Sequence, residues 1–196
     1  MNRYLLIDGE NFVHKLCLSL KKQKIIRSRT NLKKINLGIL FKNIKNSQKL
    51  YYSTNIIMPK KTSRQFENVE KMRLWNKKWV PYIANQGVSF VKAGFLRVRP
   101  GKRCLDCGRN DEIMVEKGVD VRIAVDIVSY AAKWVEIFLL SSDTDLLPAV
   151  KKAKQLGAKI VYVAFEGEIV RAISLAANET LVLKDRDIVS AYKDVN

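Results

Sequence analysis

The chain has 196 residues, 47% of them hydrophobic, which is enough to fill one ordinary core without disulfides. The apolar start MNRYLLIDGEN is interrupted at Asp8, so neither a signal peptide nor a spanning helix is expected there, and no membrane partner. Three cysteines, Cys17, Cys104 and Cys107, are too few and too unevenly spaced for a secreted disulfide framework, so a reducing, cytoplasmic location is expected.

The net charge of +17 is regional. Between Asn11 and Phe66 there is no acidic residue, while fourteen lysines and arginines fall in that stretch. A one-signed field of this size attracts a polyanion, because each neutralised phosphate releases counterions. Nucleic acid is therefore the leading partner, and a solubilising or anion-facing surface is the plainer alternative.

Taken in chain order, apolar runs suited to buried strands occur at 4–7, 49–52, 88–92, 135–140, 159–164 and 181–183. Helical patterns lie between them, at 12–20, 32–46, 64–85, 119–133, 146–156, 169–177 and 187–192. Pro148 stands in the first turn of the 146–156 segment and Gly157 just past its end, the positions where each is best tolerated. Strands alternating with helices predict an α/β fold of three layers, α/β/α, with a mostly parallel central sheet. No repeat or linker divides the chain, so residues 1–196 read as a single domain. The segment 93–117 lacks helical periodicity and reads as a loop or hairpin excursion.

In an open α/β sheet, ligands bind outside the carboxyl ends of the strands. Two predicted strands run into acids there: YLLI into Asp8-Gly9-Glu10-Asn11, and EIFLLSS into Asp143-Thr144-Asp145. Asp120 opens a helix after Lys117-Gly118-Val119. Each has a plain structural role open to it: Asp8 in a turn, Asp143 as a helix cap, Asp120 as a first-turn acid facing the helix dipole. Gathered in one pocket, however, like charges repel unless a cation lies among them. An oxygen-only set selects a hard ion, Mg²⁺ or Mn²⁺.

The segments YLLIDGENF, EKGVDVRIAVDIVSYAA and FLLSSDTDLLPAVKKAKQLGAKIVYVAF resemble, in order and spacing, the signature segments of the NYN family, the LabA-like branch of the PIN-like nucleases. The resemblance covers the first fifteen residues and Glu116 to about Leu183, roughly half the chain; Leu146 stands where the family usually has an aromatic. It implies a PIN-like/NYN fold and a metal-dependent endoribonuclease, a hydrolase of RNA phosphodiester bonds. It further implies that Asp8, Asp120, Asp143 and Asp145 hold the metal, with Asn11 as a polar helper. Asp126 lies in a matched segment, but six helical residues turn it well off the face of Asp120, so it reads as structural, paired with a basic neighbour. In the expected mechanism the metal activates water and stabilises the leaving oxygen of an in-line displacement, with Asn11 or Ser142 hydrogen-bonding the phosphate. Lys15, Lys21, Lys22, Lys24, Arg27, Arg29, Arg97, Arg99, Lys102 and Arg103 are the candidate RNA contacts, joined by Tyr51 and Tyr52. RNA, single-stranded or structured, is the expected partner, and a homodimer is compatible with the basic surface.

Cys104 and Cys107 have the spacing of half a zinc site. The two further ligands such a site needs are not evident, and ordinary loop cysteines are the preferred reading, although His14 and Cys17 sit three apart on a predicted helix. The lone histidine, His14, argues against Ser-His-Asp or Cys-His catalysis, and no phosphate-binding glycine loop is present. Phe66, Leu74, Trp75, Trp79 and Tyr82 recur near helical spacing and read as core. Asp143-Thr144-Asp145 superficially resembles a haloacid-dehalogenase phosphatase motif, but Leu147 replaces the threonine that motif requires and it falls late in the chain. The more serious alternative is a non-catalytic or weakly catalytic RNA-binding module of the same fold.

Overall fold

A computed structural model describes residues 2–103, 108 and 110–193; Cys104 and Cys107, the candidate half of a zinc site, lie outside the described residues. Seven strands form one sheet in the order β4-β3-β2-β1-β5-β6-β7. They are β1 (Arg3–Asp8), β2 (Gln48–Ile56), β3 (Val88–Arg103), β4 (Asn110–Lys117), β5 (Glu136–Leu140), β6 (Lys159–Phe165) and β7 (Glu179–Leu183). Every neighbouring pair is parallel except the antiparallel β3–β4 hairpin, which is the excursion expected at 93–117. The helices are α1 (Gly9–Lys22), α2 (Leu37–Leu40), α3 (Phe66–Ala84), α4 (Val119–Tyr130), α5 (Leu147–Gln155), α6 (Arg171–Ala176) and α7 (Asp185–Lys193). The three-layer α/β fold predicted from the sequence is the one observed. Among the described residues no helix is long and apolar enough to cross a membrane.

Period-two alternation along the buried strands divides the core in two. Leu5, Ile7, Phe138, Leu140, Val161 and Val163 point to the layer formed by α1, α2, α3 and α7. Leu6, Ile137, Leu139, Ile160 and Tyr162 point to the layer of α4, α5 and α6. Because parallel strands are covered on both faces, almost every position of β5 and β6 is buried. This explains why they read as unbroken apolar runs.

One expected helix fails. Residues 32–46 form a 3-10 turn over Arg29–Lys34 and the four-residue α2. The side chain of Asn36 accepts a hydrogen bond from the Ile39 amide at 3.1 Å, and a capping residue in extended geometry starts a new helix rather than continuing an old one. Asn46, in the left-handed region at φ 55°, ends the apolar spacing as a turn.

Two glycines set how closely the elements around the strand ends approach. A Cβ on Gly9 would stand 2.4 Å from the Tyr52 carbonyl oxygen, so only glycine lets α1 start against β2. Gly94, at φ 62°, makes the register shift in β3, and a Cβ there would lie 1.9 Å from the Lys117 oxygen. That contact presses the junction of β4 and α4 onto the sheet and fixes where α4 begins.

Candidate active site

The chain leaves β1 through α1 toward β2, and leaves β4 through α4 toward β5, so the crossovers diverge at the β1–β5 pair. Such a switch point opens a crevice at the carboxyl ends of the two strands. Ile7 pairs with Leu140, which places the next residues, Asp8 and Ser141, side by side. Both share parity with residues of the second core layer, Leu6 for Asp8 and Leu139 for Ser141.

Asp8 is buried and caps α1, its Oδ1 accepting the Asn11 amide at 3.2 Å. Its Oδ2 accepts the Ser141 hydroxyl at 2.9 Å, and Ser141 Oγ in turn accepts the Asp143 amide at 3.1 Å. One serine thus ties the first acid to the loop that carries the second. Asp143 caps the 3-10 turn Thr144–Leu146, accepting the Asp145 amide at 2.8 Å. The capping role weighed for Asp143 is the one observed, while Asp8, expected in a turn, is itself a helix cap because α1 begins directly at the end of β1. Asp120, half-buried, stands in the first turn of α4.

The acids feel one another. Burial pushes the Asp8 carboxyl up to about 6; the Ser141 and Asn11 bonds oppose the rise, while Asp120 and Asp143 add to it. Asp120 is raised by desolvation and then by Asp143 and Asp145. Glu116, at the end of β4, is pushed up to about 7 by desolvation, then by Glu10, Asp8 and Asp120. Desolvation dominates each of these rises, and the neighbouring carboxylates add to it. Among the described residues no three His, Cys, Asp or Glu side chains form a ready-made metal-binding group as they stand; the acids are coupled through their field. The donor chemistry nevertheless fits a hard cation, being all oxygen. Asn11 Oδ1, one helical turn from Asp8, is buried with no hydrogen-bond partner among the described residues.

Beside the acids lies a cleft of about 480 Å³ between β2, α3 and the 3-10 turn. Lys33, Lys71 and Lys78 line it together with the apolar Ile56, Leu74 and Trp75 and the acidic Glu10 and Glu116, and Glu116 feels Asp8 and Asp120. Arg29 is held in a two-pronged pair with Glu10, at 2.8 and 3.0 Å, and its guanidinium carbon lies 4.1 Å from the centre of the Trp75 ring.

Several expectations need correction. Tyr51 and Tyr52 are buried, their hydroxyls donating to the Gly9 carbonyl and to Asp126, so neither offers a ring to a ligand. A serine not expected at the site, Ser141, donates to Asp8; Ser142, the candidate phosphate contact, follows it in the chain. Asp126 is buried and accepts from Tyr52 and, at 3.0 Å, from Arg122, the basic pairing expected of it. Lys21, Lys22 and Lys24 lie at the far end of α1, roughly 20 Å of helical rise from Asp8. Lys22 pairs there with Asp185. Lys15 is largely covered and pairs with Glu168. Arg27 is exposed just beyond, and Arg97, Arg99, Lys102 and Arg103 belong to β3. Of the residues expected in the core, Trp79 is fully buried, Trp75 and Tyr82 pack at the core edge, and Leu74 is exposed; Trp75 and Leu74 also line the cleft. The sequence reading had not singled out Glu116, Ser141 or the cleft. Strand parity could have pointed to Ser141; the cleft depends on α3 crossing near Arg29, which no local signal carries.

The fold and the strand-end acids together define a PIN-like nuclease fold. A family model for the NYN domain matches residues 3–184, and the chain belongs to that family, part of the PIN-like nuclease superfamily. NYN domains are usually nucleases, which supports a hydrolase of nucleic acids, and PIN-like nuclease domains generally use divalent metals. The crystal structure of a protein of unknown function from Vibrio parahaemolyticus is similar in fold, with a TM-score of 0.52 and 13% identity over 93% of this chain and 92% of that one. No curated protein matches the chain significantly.

Proposed function

We propose that the protein is a metal-dependent endoribonuclease whose ion is held by Asp8, Asp120, Asp143 and Asp145. What supports this reading is that Asp120 of α4 and Asp143 of the loop after β5 are near enough to Asp8, at the end of β1, to add to the rise that burial gives its carboxyl. A pure binder of phosphate gains nothing from repelling its ligand there. A bound divalent ion supplies a polarised phosphoryl oxygen and a water of lowered pKa. The residues do the rest. Ser141 orients Asp8 and the Asp143 loop, Asn11 offers its free carbonyl oxygen, and a carboxylate of the cluster receives the proton of the attacking water. Basic residues of β3 and of the cleft hold the strand on either side.

The second reading, an RNA-binding module that does not cut, draws on the lack of a ready-made metal-binding group among the described residues. End-labelled single-stranded and hairpin RNA, incubated with Mn²⁺, Mg²⁺ or EDTA, separates the two. Cutting that needs metal and disappears in Asp8→Asn and Asp143→Asn, with RNA binding retained, supports the nuclease. Binding without cutting supports the module.

A further inference from the structure

The cleft beside the acids has mixed walls. Lys33 and Lys78 have no carboxylate partner among the described residues, and Lys71 makes only a loose 3.9 Å pair with Glu67. Glu10, its charge matched by Arg29, and Glu116 also line the cleft, beside the apolar Leu74 and Trp75. A ligand that fits this lining carries negative charge for the lysines and a flat body for the apolar wall.

A platform for the flat body is already assembled. Trp79 is fully buried, Trp75 stacks on it at 5.0 Å between ring centres, and Arg29 lies over Trp75 at 4.1 Å. Both terminal nitrogens of Arg29 bind Glu10, which locks the guanidinium in place, while about a third of the side chain is open to solvent. A fixed guanidinium plane backed by aromatic rings is a stacking surface for a base.

We propose that this cleft is a nucleobase subsite. One unpaired base of the RNA stacks on the outer face of Arg29, its phosphates run along Lys33, Lys71 and Lys78, and the strand continues past Glu116 to the acids. The subsite rests on the nuclease reading for its substrate, and it makes a structural demand of its own. A base inside a duplex cannot enter without leaving its stack, so the protein selects unpaired strands.

The test measures binding in EDTA, so that no cutting intervenes. An eight-nucleotide oligoribonucleotide is compared with an abasic oligomer of equal length and charge. The wild type is expected to prefer the base-bearing strand about tenfold or more. Arg29→Lys keeps the charge and loses the plane, so the preference collapses toward unity. Trp75→Leu, which removes the support beneath Arg29, reduces it in the same direction and serves if the first variant unfolds. Lys33→Ala weakens both strands by a similar factor. Equal binding of the two strands by the wild type, or full preference retained in folded Arg29→Lys and Trp75→Leu, overturns the subsite. A base preference that behaves as expected in a protein that cuts nothing with any metal leaves the subsite standing and overturns the nuclease. Failure to bind either strand overturns the subsite and leaves the nuclease reading to the cutting assay with Mn²⁺ or Mg²⁺.

Discussion

Asp8 holds its proton because it is buried among other acids, and that has a consequence for stability. Its folded-state pKa is raised from 3.8 to about 6, so the fold favours the protonated carboxyl. The resulting stability is fully present below about pH 4 and is lost as pH rises through 6, an effect on the order of 2–3 kcal/mol. Metal-free protein is therefore expected to lose thermal stability between pH 4.5 and 7 relative to Asp8→Asn, measured by calorimetry on both. Mn²⁺ at pH 7.5 restores the wild type by binding the ionised cluster and does not restore the variant to the same extent. Below pH 6 the ion competes with the proton on Asp8, so Mn²⁺ affinity in titration calorimetry should fall several-fold per unit. Asp8→Asn is expected to lose at least a hundredfold in cutting rate. Ser141→Ala removes the hydroxyl that opposes the Asp8 rise. Its activity profile should shift to higher pH, with about a tenfold loss near neutrality.

At the scale of elements, the β3–β4 hairpin both carries basic side chains and fixes the start of α4. A Gly94→Ala substitution meets the Lys117 oxygen and an unfavourable φ together. We expect roughly 1–3 kcal/mol of destabilisation in chemical denaturation, with reduced cutting because Asp120 moves with the junction. Much of this was legible in the sequence. The hairpin was visible as a stretch without periodicity, and α5 was visible from Pro148 and Gly157. The helix expected at 32–46 does not form because its apolar spacing arises from a 3-10 turn packed against α3 and a short helix packed against α7, a coincidence that only packing reveals. Tyr51 and Tyr52 were misassigned for a related reason: β2 is covered on both faces, so tyrosines there are held inward by bonds to Gly9 and Asp126.

The charge of the whole molecule sets how it meets RNA. The +17 balance predicts binding that weakens steeply with salt, each phosphate contact adding about 0.7 to the log–log slope for a single strand. Which cations count depends on where the fold puts them. Replacing Arg97 and Arg99 by alanine should lower the slope by about one to two. The double variant Lys21→Ala/Lys24→Ala should change it little, because those side chains sit at the opposite end of α1. Salt titrations of a fluorescent oligonucleotide distinguish the two outcomes.

The sequence alone determined the alternation of strands and helices, the acids at two strand ends and at a helix start, and the kinship those segments carry. These are local properties, written in periodicity, caps and short motifs. Tertiary structure decided which serine meets Asp8, that Glu116 feels Glu10, Asp8 and Asp120, that Trp75 and Arg29 stack, and which lysines line the cleft. Each of those depends on strand register or on helices that cross far apart in the chain, and such contacts leave no mark in any short stretch of residues.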